Sequence, residues 1–156
     1  YTPEVVKGKW IGFTTTNGTK ALHRCEEAEN ILIGAFANLS AIVGSLERSD
    51  TPIHLVCAGT NGAITAEDVL FAGAIVATLS KKHQDLRLEN DSALLALDFW
   101  RQNSQNNDQF RQSMHSSQGG GNLTKLRLAA DIDRACQRDL FDFVPTWDKD
   151  ENSITI

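Results

Sequence analysis

Cysteine is too sparse and too irregular in this sequence to build a framework. Cys25, Cys57 and Cys136 are odd in number and show no CxxC spacing, which argues against a disulfide scaffold or a structural zinc site and fits free thiols in a reducing cytoplasm. Long apolar runs are also missing. The longest uncharged one, Val69 to Leu79, is too short to span a bilayer, and no signal-peptide pattern opens the sequence. Basic residues are scattered, only Lys81 and Lys82 are adjacent, and the net charge is −5; a protein that grips a nucleic-acid backbone would show a basic face. Two catalytic signatures are absent too: there is no Walker GKS/T and no GxSxG elbow. His23, His54, His83 and His115 have no metal-ligand spacing. The expectation is a cytoplasmic protein that binds neither nucleic acid nor membrane.

What is present suits one globular domain: 156 residues, 41% of them apolar and 22% charged. Trp10–Thr16, Ile31–Ala37 and Ile53–Ala58 read as strands, apolar and rich in β-branched residues. Between them, Thr19–Ala28 and a segment capped by Asn38 or Ser40 and running to about Arg48 read as helices. Thr65–Lys82 is the clearest helix, and since Thr78 is the sole polar residue in its middle it should be nearly surrounded by protein. Strand–helix alternation with continuously apolar strands predicts an α/β fold, a sheet covered on both faces. The rest is more helical: Asp91–Gln102, a polar stretch from Ser104 to Gln118, and Leu123–Arg138 with Asp131 as an interruption. Gly119–Gly121 reads as a flexible joint, Phe141–Trp147 as a last strand and Asp148–Ile156 as a frayed tail. Tyr1, in place of Met, followed by Thr-Pro-Glu, reads as a start inside a larger protein.

Two corners repeat one device. Thr15-Thr16-Asn17-Gly18-Thr19 follows the first strand, and Gly59-Thr60-Asn61-Gly62 follows the third. A strand-to-helix turn exposes unpaired backbone N–H groups, glycine lets a ligand approach closely, and the helix dipole favours an anion. Ligands of open α/β sheets gather at this edge, so two such corners could face one small, doubly anionic phosphorylated substrate. Thr-Asn-Gly clusters also make ordinary turns. Glu67 and Asp68, in the first turn of the long helix, are candidate Mg²⁺ ligands and catalytic acids. Magnesium takes one or two carboxylates, waters and phosphate oxygens. Adjacent acids also simply complement a helix dipole. One of the pair is expected to serve the helix cap and the other to face the metal.

The chain resembles the 2-phosphosulfolactate phosphatase (ComB-like) family. The matching pieces are residues 1–6 leading into Thr14-Thr15-Thr16-Asn17-Gly18-Thr19-Lys20-Ala21-Leu22, then Cys57-Ala58-Gly59-Thr60-Asn61-Gly62 and Glu67-Asp68-Val69-Leu70-Phe71-Ala72-Gly73-Ala74, with Ala130-Asp131-Ile132, Cys136, Asp139 and Val144-Pro145 beyond. The resemblance implies a three-layer α/β/α sheet flanked by helices, with a helical C-terminal portion. It also implies Mg²⁺-dependent hydrolysis of 2-phospho-3-sulfolactate to 3-sulfolactate and phosphate, a step of coenzyme M biosynthesis. Residues 1–156 would then be one α/β domain, the C-terminal part of a larger phosphatase domain whose N-terminal segment precedes Tyr1. A phosphatase for another phosphorylated hydroxy acid and a non-catalytic α/β assembly module are the alternatives, and apolar helices in a partial domain make a homo-oligomer conceivable.

Overall fold

The structure, a computed structural model, describes residues 2–12 and 14–156; Phe13, inside the first expected strand, lies outside them. The elements are α1 (Pro3–Val6), α2 (Gly18–His23), a 3₁₀ turn (Phe36–Asn38), α3 (Leu39–Leu46), α4 (Ala66–Lys82), α5 (Asp91–Asn103), α6 (Asn107–Ser116), α7 (Gln118–Lys125) and α8 (Ala129–Ala135). A hairpin of β1 (Thr146–Asp148) and β2 (Ser153–Thr155) ends the chain. The result is mixed, mostly helical with a small sheet, and compatible with the α/β class.

Helix α4 is the centre of the molecule. Leu70, Ala74, Ile75 and Leu79 are buried with Phe36, Leu39, Ile42 and Val43 from the 3₁₀ turn and α3, Phe110 and Met114 from α6, and Ile132 from α8. Its opposite side carries Val76 and Ala77 against Leu97 of α5. An apolar surface all round thus finds protein all round. Each fully buried Leu or Phe contributes about 1.5–3 kcal/mol. Gly73 lets α5 approach closely, since a Cβ there would run into the carbonyl of Ala96. The Arg138 guanidinium covers the outer side of this core, 5.0 Å from the Trp100 ring and 4.9 Å from that of Phe110, a cation–π arrangement.

The expected strands have different fates. Residues 31–33 do pair: the Ile33 N–H donates to the Pro145 carbonyl at 2.8 Å and the Trp147 N–H to that of Ile31 at 2.9 Å. Two stretches read as strands from the sequence therefore meet, antiparallel. The buried Asn38 fastens them, accepting from the Ala35 N–H at 2.8 Å and donating to the carbonyls of Ile33 and Phe143. Gly34 has the expected close contact, as a Cβ there would lie 2.7 Å from the Phe71 ring. Residues 53–58, by contrast, are exposed and irregular with no strand partner among the described residues, and the described part of 10–16 is likewise exposed and irregular. Strand pairing is a tertiary matter, and an apolar, β-branched run states only suitability for it.

Three local readings are corrected. Gly119–Gly121 is no loose joint but the first turns of α7, because the buried Ser117 caps it, its Oγ accepting from the Gly120 N–H at 3.0 Å. The tail is not frayed but forms β2, and Lys149 donates to the carbonyl of Glu26 at 2.7 Å. Leu123–Arg138 is broken not at Asp131, which lies inside α8, but at 126–128 around Arg127, whose φ is +62°. Among the described residues no helix is long and apolar enough to cross a membrane.

Candidate functional site

The first corner is closed by its own threonines. The Thr15 N–H donates to Thr19 Oγ1 at 3.2 Å and the Thr19 N–H to Thr15 Oγ1 at 3.1 Å. This reciprocal bracket sets Asn17 as the N-cap of α2, yet the Asn17 side chain makes no bond to its own helix. Gly18 is needed beneath the bracket, since a Cβ there would stand 2.8 Å from Thr15 Oγ1. Thr16 is exposed beside it.

At the second corner the chain reverses within two residues. Thr60 and Ala63 exchange N–H···O bonds of 3.0 Å in both directions, across Asn61 at φ +53° and Gly62 at φ +82°. Two consecutive positive φ values define a type I′ turn and account for Asn-Gly at its centre. Gly59 has φ +63°, and a Cβ there would strike the Ala63 carbonyl, so this corner admits no larger residue at that point.

The two corners meet. The Asn61 N–H donates to Asn17 Oδ1 at 3.1 Å, across 44 positions of sequence. The side chain that could have capped α2 spans the gap to the other turn instead. Thr15, Thr16, Asn17, Gly18 and Thr19 thereby share one edge with Gly59, Thr60, Asn61 and Gly62.

Glu67 and Asp68 divide their work. Thr65, the N-cap of α4, makes no side-chain cap bond, and it forms no capping box with Asp68 three residues on. Asp68 instead accepts from the Gly59 N–H at 2.7 Å, holding the second corner onto α4. Neither acid caps the helix. Glu67 turns the other way, as residues about 100° apart on a helix must. It lies against Gly119 of α7, where a Cβ would collide with its Oε1, and its Oε2 is buried without a hydrogen-bond partner. Gly119 and its cap Ser117 are the members that sequence reading missed. A serine three residues before Gly120 signals a helix start, but nothing local signals the contact with Glu67.

A buried carboxylate oxygen without a hydrogen-bond partner is an acceptor that a bound water or cation would satisfy. Among the described residues no three His, Cys, Asp or Glu side chains converge, so a zinc-type cage of protein ligands is not formed. The donor set does fit magnesium, which needs few carboxylates and completes its shell from water and phosphate. Glu67 offers the free oxygen, whereas one Asp68 oxygen is already engaged by Gly59.

The remaining titratable groups lie apart from this use. Although Cys57 is exposed, desolvation by the protein around its thiol, and then the Asp68 carboxylate, push the thiol up, which disfavours the thiolate and weakens it as a nucleophile. His115, conceivable as a mobile acid, is bound by Nε2 to Asp133 Oδ1 at 3.1 Å, and Arg111 reaches the same oxygen at 2.6 Å. His23 meets Glu26 at 2.7 Å, and His83 approaches Glu47 at 3.6 Å.

The family model described as 2-phosphosulpholactate phosphatase matches residues 1–150. The chain belongs to that family. It is 36% identical over 147 residues to a probable 2-phosphosulfolactate phosphatase of Clostridium novyi (strain NT), a match covering 94% of this chain and 60% of the relative. It is 38% identical over 147 residues to the one of Caldanaerobacter subterraneus subsp. tengcongensis, covering 93% of this chain and 58% of the relative. With the protein of that name from Thermotoga petrophila the identity is 39% over 146 residues, with 94% and 60% covered. The chain thus spans about three-fifths of the length of the curated relatives it matches.

Proposed function

We propose that this chain carries the phosphate-binding edge and one metal ligand of a Mg²⁺-dependent phosphatase acting on 2-phospho-3-sulfolactate, in the cytoplasmic formation of coenzyme M. The observation that supports it most is the Asn61–Asn17 hydrogen bond, which joins the two turns at one edge; Glu67, next in sequence to the Asp68 that holds this edge, has an unpartnered oxygen on the side of α7. In this reading the chain is the larger, C-terminal share of one domain, and its exposed apolar stretches belong to a three-layer α/β/α sheet.

The N–H groups of Thr15, Thr19, Gly59, Thr60 and Asn61 are used in holding the corners, so the substrate's oxygens would be held by the hydroxyls of Thr15, Thr16, Thr19 and Thr60, the side-chain amides of Asn17 and Asn61, and the N–H groups of Gly18 and Gly62. Such donors, fixed before the substrate arrives, stabilise the charge on phosphoryl oxygens as the ester bond lengthens. Glu67 would hold the metal, with Asp68 keeping the cradle in register from behind. Bound magnesium supplies charge neutralisation at phosphate and a more acidic water. Water oxygen joins phosphorus, the ester P–O bond breaks, and the alcohol oxygen leaves with a proton as 3-sulfolactate.

Phosphate release by the full-length protein that contains this chain tests the reading, with and without Mg²⁺, on phosphosulfolactate and on phospholactate. Release from phosphosulfolactate that needs Mg²⁺ is expected. Equal rates on both substrates would replace the sulfonate with a broader class of phosphorylated hydroxy acids, and no release from either would leave a non-catalytic assembly module.

A further inference from the structure

Helix α7 begins where its sequence favours a loop. Gly119, Gly120 and Gly121 fill its first turn, each a poor helix former, and no acid stands there to complement the helix dipole. The turn forms because Ser117 closes it. Ser117 is 5% exposed, and its hydroxyl is used twice, donating to the Met114 carbonyl at 2.8 Å and accepting from the Gly120 N–H at 3.0 Å. Its own carbonyl accepts from the Gly121 N–H at 2.8 Å. One buried side chain thus ties the last turn of α6 to the first turn of α7. Gly120 seals that junction, since a Cβ there would run into the Met114 carbonyl.

What this turn rests against is Glu67. A Cβ on Gly119 would collide with Glu67 Oε1 and stand 3.0 Å from its carboxyl carbon. The other oxygen, Oε2, is the buried one without a partner. Among the described residues the N–H groups of Gln118 and Gly119 lack hydrogen-bond partners too, as the start of a helix leaves them, so the carboxylate faces the positive end of α7. Asp68 anchors the first turn of α4 on its other side, through the Gly59 N–H at 2.7 Å. The backbone of Glu67 is therefore set by α4 and the end of its side chain by α7. In close packing a shift of one surface moves the other or opens a gap.

We infer that Ser117 is a positioning residue for the metal site. It holds the first turn of α7 in place, and that turn holds the Glu67 carboxylate where a divalent cation meets it. Ser117 itself, with its hydroxyl spent on Met114 and Gly120, ligates nothing. The inference rests on the reading of Glu67 as the metal ligand.

Titration of Mn²⁺ into the metal-free, full-length protein that contains this chain tests it, with free Mn²⁺ read by electron paramagnetic resonance and no substrate present. Ser117→Ala is expected to weaken Mn²⁺ binding about tenfold, the loss typical of a group that orients a metal ligand. In a Glu67→Gln background the same change is expected to cost nothing further, because its effect runs through the carboxylate. Asn90→Ala removes a cap of the same kind at the start of α5, where Asn90 accepts from the Ala93 N–H at 3.0 Å. It is expected to lower Tm and leave Mn²⁺ affinity unchanged, as would Ser117→Ala if Ser117 served stability alone. Ser117→Gly, a milder loss of cap, carries the same expectation where Ser117→Ala does not fold. Wild-type affinity in the Ser117 variants, an equal loss in both backgrounds, or an equal loss in Asn90→Ala would each overturn the inference and leave Glu67 as the ligand. Undiminished binding in Glu67→Gln would overturn the metal-ligand reading, and this inference with it.

Discussion

Asn17 and Asn61 hold the same place in two Thr-Asn-Gly motifs that take different backbone shapes, a helix start and a type I′ turn, and the structure joins them directly, side-chain oxygen to backbone N–H at 3.1 Å. Asn17→Ala removes the acceptor and leaves the Asn61 N–H to solvent. A net hydrogen bond is worth about 0.5–1.5 kcal/mol. Little change in Tm is expected from this exposed link, and KM for the phosphorylated substrate of the full-length protein should rise about 2–10-fold. An unchanged KM measured by phosphate release would separate the corners functionally.

Glu67→Gln keeps the shape of the side chain and removes its charge. A buried carboxylate oxygen without a partner costs stability until a cation arrives. The metal-free variant is therefore expected to melt about 2–4 °C higher, the shift for roughly 1 kcal/mol in a domain of this size. Its Mn²⁺ affinity, read by titration of the paramagnetic ion in place of Mg²⁺, should fall about tenfold or more. A lower melting point would mean that Glu67 is already satisfied in the apo protein.

Gly119 and Gly121 lie two residues apart in α7 and should respond in opposite directions. A methyl group at Gly119 meets the Glu67 carboxyl group, whereas one at Gly121 meets nothing within 4 Å. Gly119→Ala is expected to cost about 1–3 kcal/mol through crowding, and Gly121→Ala to stabilise by about 0.5–1 kcal/mol through helix propensity. Urea denaturation of the two variants measures the difference. Equal effects would place α7 away from Glu67.

Acid should loosen the junction of α6 and α8 through Asp133. The His115 hydrogen bond, followed by the charge of Arg111, holds the Asp133 carboxyl below its usual range. A carboxyl depressed on folding contributes stability that is present above its unfolded pKa, about 3.9, and is lost as pH falls through the lower folded value. The wild-type minus Asp133→Asn difference in stability should therefore be flat near neutrality and shrink below about pH 4. Chemical denaturation followed across that range checks the sign.

Helices were legible where their local signals were complete. Thr65–Lys82 could be read because an apolar run with acids at one end and lysines at the other has few alternatives, and the structure starts α4 one residue later. Gly119–Gly121 was misread because three glycines argue for flexibility, and the cap from Ser117 that overrides them needs the burial supplied by α6. In the site, the turn residues were legible because positive φ at Gly59, Asn61 and Gly62 demands just such residues. The separate duties of Glu67 and Asp68 were not, because a carboxylate's partner is chosen by whatever the fold brings within 3 Å or so.

The sequence by itself determined the chemistry on offer: two Thr-Asn-Gly corners, two acids at a helix start, and apolar runs suited to strands. Local φ preferences and side-chain periodicity act within a few residues and can be read there. Only the tertiary structure decided that Asn17 reaches Asn61, that Glu67 meets Gly119, and that residues 31–33 find a strand partner while 53–58 find none among the described residues. Each of these depends on contacts between segments far apart in the chain, formed by the packing of helices around α4.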